Sequence, residues 1–195
     1  MKQGWGLSIV NILLIAVIVC KTTGKKTLPP QSGPDLVVPQ YVFPFDWIGN
    51  YEGKLVILTS PKDSTFVNMG LKIGSPDVSG LYPWVITYGE TDKRYYGLEA
   101  INPEEGHYRI DELNSIKLDG YLRGNHFITR FEVMGSDLLV DYKKQPGGIA
   151  VRFYVSRASF INETGGEVFG QDTVPTVKSF PLLVVQDAWL KEVAP

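Results

Sequence analysis

Two histidines, one cysteine and a few clustered carboxylates are the groups through which this chain could do chemistry. His107 lies in the run GHYRIDE, with Asp111 and Glu112 close behind it. On a β-strand His107, Arg109 and Asp111 share one face, so His107 and Asp111 could flank a site. A metal centre needs three or four converging ligands, and no second motif with ligand spacing accompanies this one. Axial ligation of a haem needs only one well-placed side chain, and either His107 or His126 could supply it. The carboxylate pairs Glu104–Glu105 and Asp111–Glu112 occupy adjacent positions, which point to opposite faces of a strand and cannot converge on one substrate without a bulge. No Gly-x-Ser-x-Gly elbow is present, and no base stands beside a nucleophile. The expectation is a non-catalytic protein with no metal and no cofactor.

Rings carry more of the signal. Trp84, Tyr88, Tyr95, Tyr96, Tyr142 and Tyr154 are expected to join the phenylalanines in the interior of the folded part of the chain. Tyrosine combines an apolar body with a polar tip, which suits either a packed core or a cavity for an amphipathic ligand. The formal net charge is −2 and the only marked basic cluster is Lys21, Lys25 and Lys26, so a nucleic-acid partner is not expected.

Composition divides the chain into three. Lys2 followed by the apolar run at 7–19 has the length and charge of an export signal and is short for a membrane span. Cys20, directly after that run, is the only cysteine and has no partner for an internal disulfide. Residues 1–20 therefore read as a signal or lipoprotein signal with Cys20 as the lipidated residue, an uncleaved apolar anchor or ordinary cleavage being the alternatives. Residues 21–40 are rich in proline, glycine, serine, threonine and lysine and read as a tether. Residues 41–195 read as one domain.

The elements that must position the rings are all strands. Short runs rich in β-branched and aromatic residues begin near Lys54, Thr65, Pro83, Lys93, His107, Ser115, His126, Asp137 and Ile149. Turn residues such as SPKDS, GETD, RGN and KQPGG separate them. Phe127, Thr129, Phe131 and Val133 alternate with Ile128, Arg130, Glu132 and Met134, and Ile149, Val151 and Phe153 alternate with Ala150, Arg152 and Tyr154. One apolar and one polar face per strand is the antiparallel pattern, and it places Arg130 and Arg152 outside, the alternative being a one-residue parity shift at a bulge that would turn them into lumenal anion anchors. The segment 161–179 is expected to be a loop, and 180–195 to return as a closing strand beside the first. The expectation is all-β: a single antiparallel up-and-down barrel of about 9–10 strands, with a sandwich as the alternative. At its start Trp47, Gly49, Tyr51 and Gly53 share one face, as a tightly curved first strand requires if glycines relieve crowding between rings.

Trp47 near the start of the first strand, with Gly49 and Gly53 after it, resembles the opening of calycin barrels: lipocalins, avidins, fatty-acid-binding proteins and nitrobindin-like barrels. Phe45 and Asp46 stand where the lipocalin signature has Gly-x before the tryptophan. Cys20 behind an apolar run resembles the lipidated cysteine of bacterial lipoproteins, with Val19 where a small residue is usual. The resemblance implies a barrel held by a lipid anchor at a membrane of the bacterial cell envelope, binding a hydrophobic or amphipathic small molecule. Trp47, Tyr51, Trp84, Tyr88, Phe127, Phe131 and Phe153 are the expected lumen residues. The alternatives are a solidly packed barrel whose surface contacts a protein or glycan partner, and a haem barrel.

Overall fold

The computed structural model describes residues 40–194. Cys20, the apolar run and nearly all of the tether lie outside the described residues.

Ten antiparallel strands close into one barrel. In chain order these are β1 (Gly49–Leu58), β2 (Ser64–Ile73), β3 (Tyr82–Tyr88), β4 (Asp92–Asn102), β5 (His107–Asp111), β6 (Lys117–Arg123), β7 (His126–Val133), β8 (Ser136–Gln145) and β9 (Gly148–Arg157). Four short strands follow, β10 (Asn162–Thr164), β11 (Val168–Phe169), β12 (Asp172–Thr173) and β13 (Val177–Ser179), before the last barrel strand, β14 (Leu182–Val193). Each barrel strand pairs with its predecessor, and β14 lies between β9 and β1, leaving no open edge. Closure is visible in the register: Gly53 pairs with Leu190 on one side and Met69 on the other.

The alternation in the sequence becomes the inside and outside of this barrel. Tyr51 and Leu55, Met69 and Leu71, Trp84 and Ile86, Tyr108 and Ile110, Phe127, Val140, Ile149 and Val151 all point inward and are buried. Arg130 and Arg152 lie outside, each in a bidentate pair, with Asp137 and Asp187 respectively. The aromatic inventory needs one correction. Tyr95 and Tyr96 are neighbours on β4 and cannot both face inward; Tyr95 is on the outer surface, and Tyr154 shares the outer face with Arg152.

The chain enters the barrel through a turn of 3-10 helix, Phe45–Trp47, which covers one end, so Trp47, expected on the first strand, lies in the turn before it and only Gly49, Tyr51 and Gly53 alternate on β1. There Phe43 stacks on Phe127 at 5.1 Å and meets Trp47 and Tyr108 edge-on at 4.9 and 4.7 Å. Trp47 and Phe127 are fully buried. This end is packed solid.

The aromatic–glycine alternation now has a physical reason. A Cβ on Gly53 would run into the backbone carbonyl of Trp189 on β14 and lie 3.1 Å from the Leu190 side chain. Closing β1 against β14 therefore requires an absent side chain at this position. Gly49 makes a different kind of room, since a Cβ there would sit 3.1 Å from the Tyr51 hydroxyl.

The segment 161–179, expected as a loop, is an arm of paired backbone. β10 pairs with β13 and β11 with β12, and the arm leaves the barrel between β9 and β14. Its local pairing escapes a hydrophobic-period argument because it packs on nothing that would impose alternation.

Candidate functional site

The barrel has two unlike ends. The starts of β1, β7 and β9 and the ends of β8 and β14 surround the 3-10 plug. The opposite rim is formed by the β1–β2, β3–β4, β5–β6 and β7–β8 turns and by the arm. Toward that rim the interior keeps a cavity of about 150 Å³. Trp84 and Tyr142, 5.1 Å apart edge-to-face, form its floor on the packed cluster, since Trp84 also meets Phe127 at 5.8 Å. Ile86, Ile110, Leu118, Leu138 and Val140 line its sides, with Phe131 and Phe153.

Trp84, Tyr88, Phe131 and Phe153 line this cavity. Phe127 lies beneath the floor, and Trp47 and Tyr51 belong to the packed end. The seven expected lumen residues thus divide between two places: four at the cavity and three in the plugged half.

Three more polar groups border the cavity: Thr129, on the inward face expected from its alternation with Phe127 and Phe131, and two charged side chains not expected there, Arg94 and Glu112. The signal was a count by twos. From Leu98, parity leads through Tyr96 to Arg94, and from Ile110 it leads to Glu112. Charged residues at inward positions near a strand end look like breaks in the pattern, so the pattern alone discards them. Arg94 donates to Asp92 from Nε at 3.2 Å and from Nη2 at 2.9 Å, and its guanidinium lies 5.0 Å from the Tyr88 ring centre. Glu112 accepts a 3.3 Å hydrogen bond from the Asn114 side-chain amide.

The tyrosines of the cavity are held neutral. Burial pushes the Tyr88 hydroxyl up to about 12, with Tyr96 and Asp92 adding to the rise and Arg94 opposing it. Burial raises Tyr142 further still, and Tyr88 adds to that rise. Tyr96 is raised by burial too, against a hydrogen bond from Arg94. These hydroxyls act as hydrogen-bonding groups and not as charges.

Both histidines stand on the outer wall. His107 Nε2 lies 2.8 Å from Asp119 Oδ1, which also accepts from Arg109 Nε at 3.0 Å, and the His107 ring stacks on Tyr121 at 4.9 Å. Asp111, on the same outer face, pairs with Lys117 at 3.1 Å. His126 Nδ1 lies 2.9 Å from Asp141. Neither histidine projects into the lumen, and His107 and Asp111 are engaged by different partners.

The plugged end has its own polar cluster. Lys144, only 5% exposed, donates to the Tyr51 hydroxyl at 2.8 Å and lies 3.4 Å from Glu192. Tyr51 in turn donates to the Trp47 carbonyl at 2.7 Å. This network ties β8, β1 and β14 to the plug.

These features define the class: a closed, ten-stranded, up-and-down antiparallel barrel of calycin-like form, filled at one end and hollow near the other. No protein-family model matches the chain, and no curated protein matches it.

Proposed function

We propose that this protein is a non-catalytic, envelope-anchored barrel of lipocalin-like lipoprotein type that binds a hydrophobic or amphipathic small molecule in its lumen. The supporting observation is the uneven filling of the interior. Six aromatic side chains could have packed this half solid, as rings do at the plugged end, yet Trp84, Phe131, Tyr142 and Phe153 border an unfilled volume of about 150 Å³. Apolar walls drive binding by burial, while the Tyr88, Tyr96 and Tyr142 hydroxyls orient the ligand. The anchor is the role given to Cys20, with the proline-rich segment behind it as tether. Native mass spectrometry of protein purified gently from cells tests the reading. A reproducible added mass, lost in Phe131→Trp, supports it. A bare protein that takes nothing from a mixture of small apolar compounds overturns it.

A second reading has its own observation. Phe160, Ile161, Val168, Val177 and Phe180 are exposed on and beside the arm, and such side chains suit contact with a protein or glycan partner. In that case the barrel is a support, and filling its cavity by Phe131→Trp leaves the partner's binding unchanged.

A further inference from the structure

We infer that the lumenal site takes a small protonated amine with a ring-sized apolar body. This rests on the lumen being a ligand site, and it follows from size, charge and ring content together.

Size comes first. An apolar protein cavity of about 150 Å³ accommodates benzene. The cavity here has that volume, so a single ring or a short branched chain fits and a long acyl chain does not. Any polar group on such a ligand reaches only as far as the rim.

Charge at the rim is unbalanced. Arg94 and Glu112 are the two ionic side chains bordering the cavity. Arg94 is engaged twice by Asp92 and lies against the Tyr88 ring, so its charge is already met by a carboxylate. Glu112 has only the neutral Asn114 amide at 3.3 Å and forms no ion pair among the described residues. Neighbouring Asp111 is matched by Lys117, but on the outer face. One carboxylate is therefore left uncompensated at the mouth, and a cationic group on the ligand supplies its partner.

The rings fit the same occupant. Trp84, Tyr88, Tyr96, Phe131, Tyr142 and Phe153 all border the cavity, and aromatic faces attract an ammonium through their quadrupoles. With their hydroxyls neutral, the three tyrosines repel neither charge and accept hydrogen bonds from N–H donors. An anionic ligand, by contrast, would meet Glu112 directly and would have to displace Asp92 from Arg94.

The test is calorimetric titration of the full chain with benzylamine, benzyl alcohol and benzoate, in the wild type and in Glu112→Gln. The amine is expected to bind the wild type about tenfold more tightly than the alcohol, with benzoate weakest. In Glu112→Gln that preference disappears while the affinity for benzyl alcohol stays the same, which shows an intact cavity. Benzoate binding better than benzylamine, or an amine affinity indifferent to Glu112→Gln, overturns the amine inference and leaves the lumenal site standing. If none of the three probes binds saturably, the lumenal reading itself falls.

Discussion

Lys144 reaches from β8 into the barrel interior and donates to the hydroxyl of Tyr51 on β1 at 2.8 Å, and Tyr51 passes a hydrogen bond of 2.7 Å to the carbonyl of Trp47. A buried cation, a phenol and a main-chain oxygen thus join the wall to the plug. Lys144 also faces the Tyr51 ring at 4.6 Å and lies 3.4 Å from Glu192. The arrangement keeps an otherwise costly buried ammonium satisfied.

Tyr51→Phe removes the link, strands the Trp47 carbonyl and leaves buried Lys144, among the described residues, with only the Glu192 carboxylate at 3.4 Å, so a loss of about 1–3 kcal/mol is expected in urea unfolding. Adding Lys144→Met removes the under-compensated charge. The double variant is therefore expected to be more stable than the sum of the single losses, by about 1 kcal/mol. Strict additivity would mean that the two residues do not act together.

Stability falls in alkali. The folded barrel holds Tyr88 at about 12 against an ordinary 10.0, with Tyr51 and Tyr142 higher, mainly through burial. Unfolded tyrosines release their protons near pH 10, so above that point the unfolded state binds fewer protons and gains. The contribution of these groups is complete below pH 10 and is lost as pH rises through 12. Unfolding midpoints measured between pH 8 and 11 are expected to drop only at the upper end. Phenolate absorbance from the buried tyrosines should appear together with unfolding, not before it.

Two glycines on neighbouring strands are expected to respond oppositely to alanine. At Gly53 the new Cβ meets the Trp189 carbonyl, and a loss of about 1–3 kcal/mol is expected. At Gly70 the nearest atom, Thr87 Cβ, is 3.6 Å away, an ordinary contact. Gly70→Ala should stabilise by about 0.4–1 kcal/mol through the unfolded chain. Equal effects in thermal unfolding would remove the close β1–β14 approach as the reason for Gly53.

Much of this architecture could be read from residue order. Alternation in β7 and β9 gave the correct inner faces, and the apolar run at the C-terminus was recognisable as the strand that closes on β1. Gly49 and Gly53 flanking Tyr51 pointed to tight closure of the first strand, which the Gly53–Trp189 contact explains, although Trp47 lies in the turn before that strand. The two-ended filling was not legible. Nothing along the chain says that Phe127 packs under Trp84 while Phe131, four residues on, borders a cavity, because that depends on where the plug enters. Inward charges were hidden for a related reason. Lys144, Arg94 and Glu112 sit at apolar parity near strand ends, and only the partners across the barrel show how each is accommodated.

The proposed anchor can be tested apart from the proposed binding. If Cys20 carries the lipid, Cys20→Ser abolishes metabolic labelling with a radioactive fatty acid and moves the protein out of the membrane fraction. Unchanged membrane association would favour the uncleaved apolar anchor.

The most direct measurement of the central claim is a titration with benzyl alcohol followed by the indole N–H resonances of the tryptophans. Trp84 forms the cavity floor, whereas Trp47 lies in the packed plug and Trp189 on the outer wall. A saturable shift at Trp84, with Trp47 and Trp189 unmoved, is the predicted result. Phe131→Trp should abolish it while leaving stability within about 1 kcal/mol of the wild type, since the larger ring enters empty space. No saturable shift at Trp84, or the same shift in Phe131→Trp, would contradict a ligand-binding lumen.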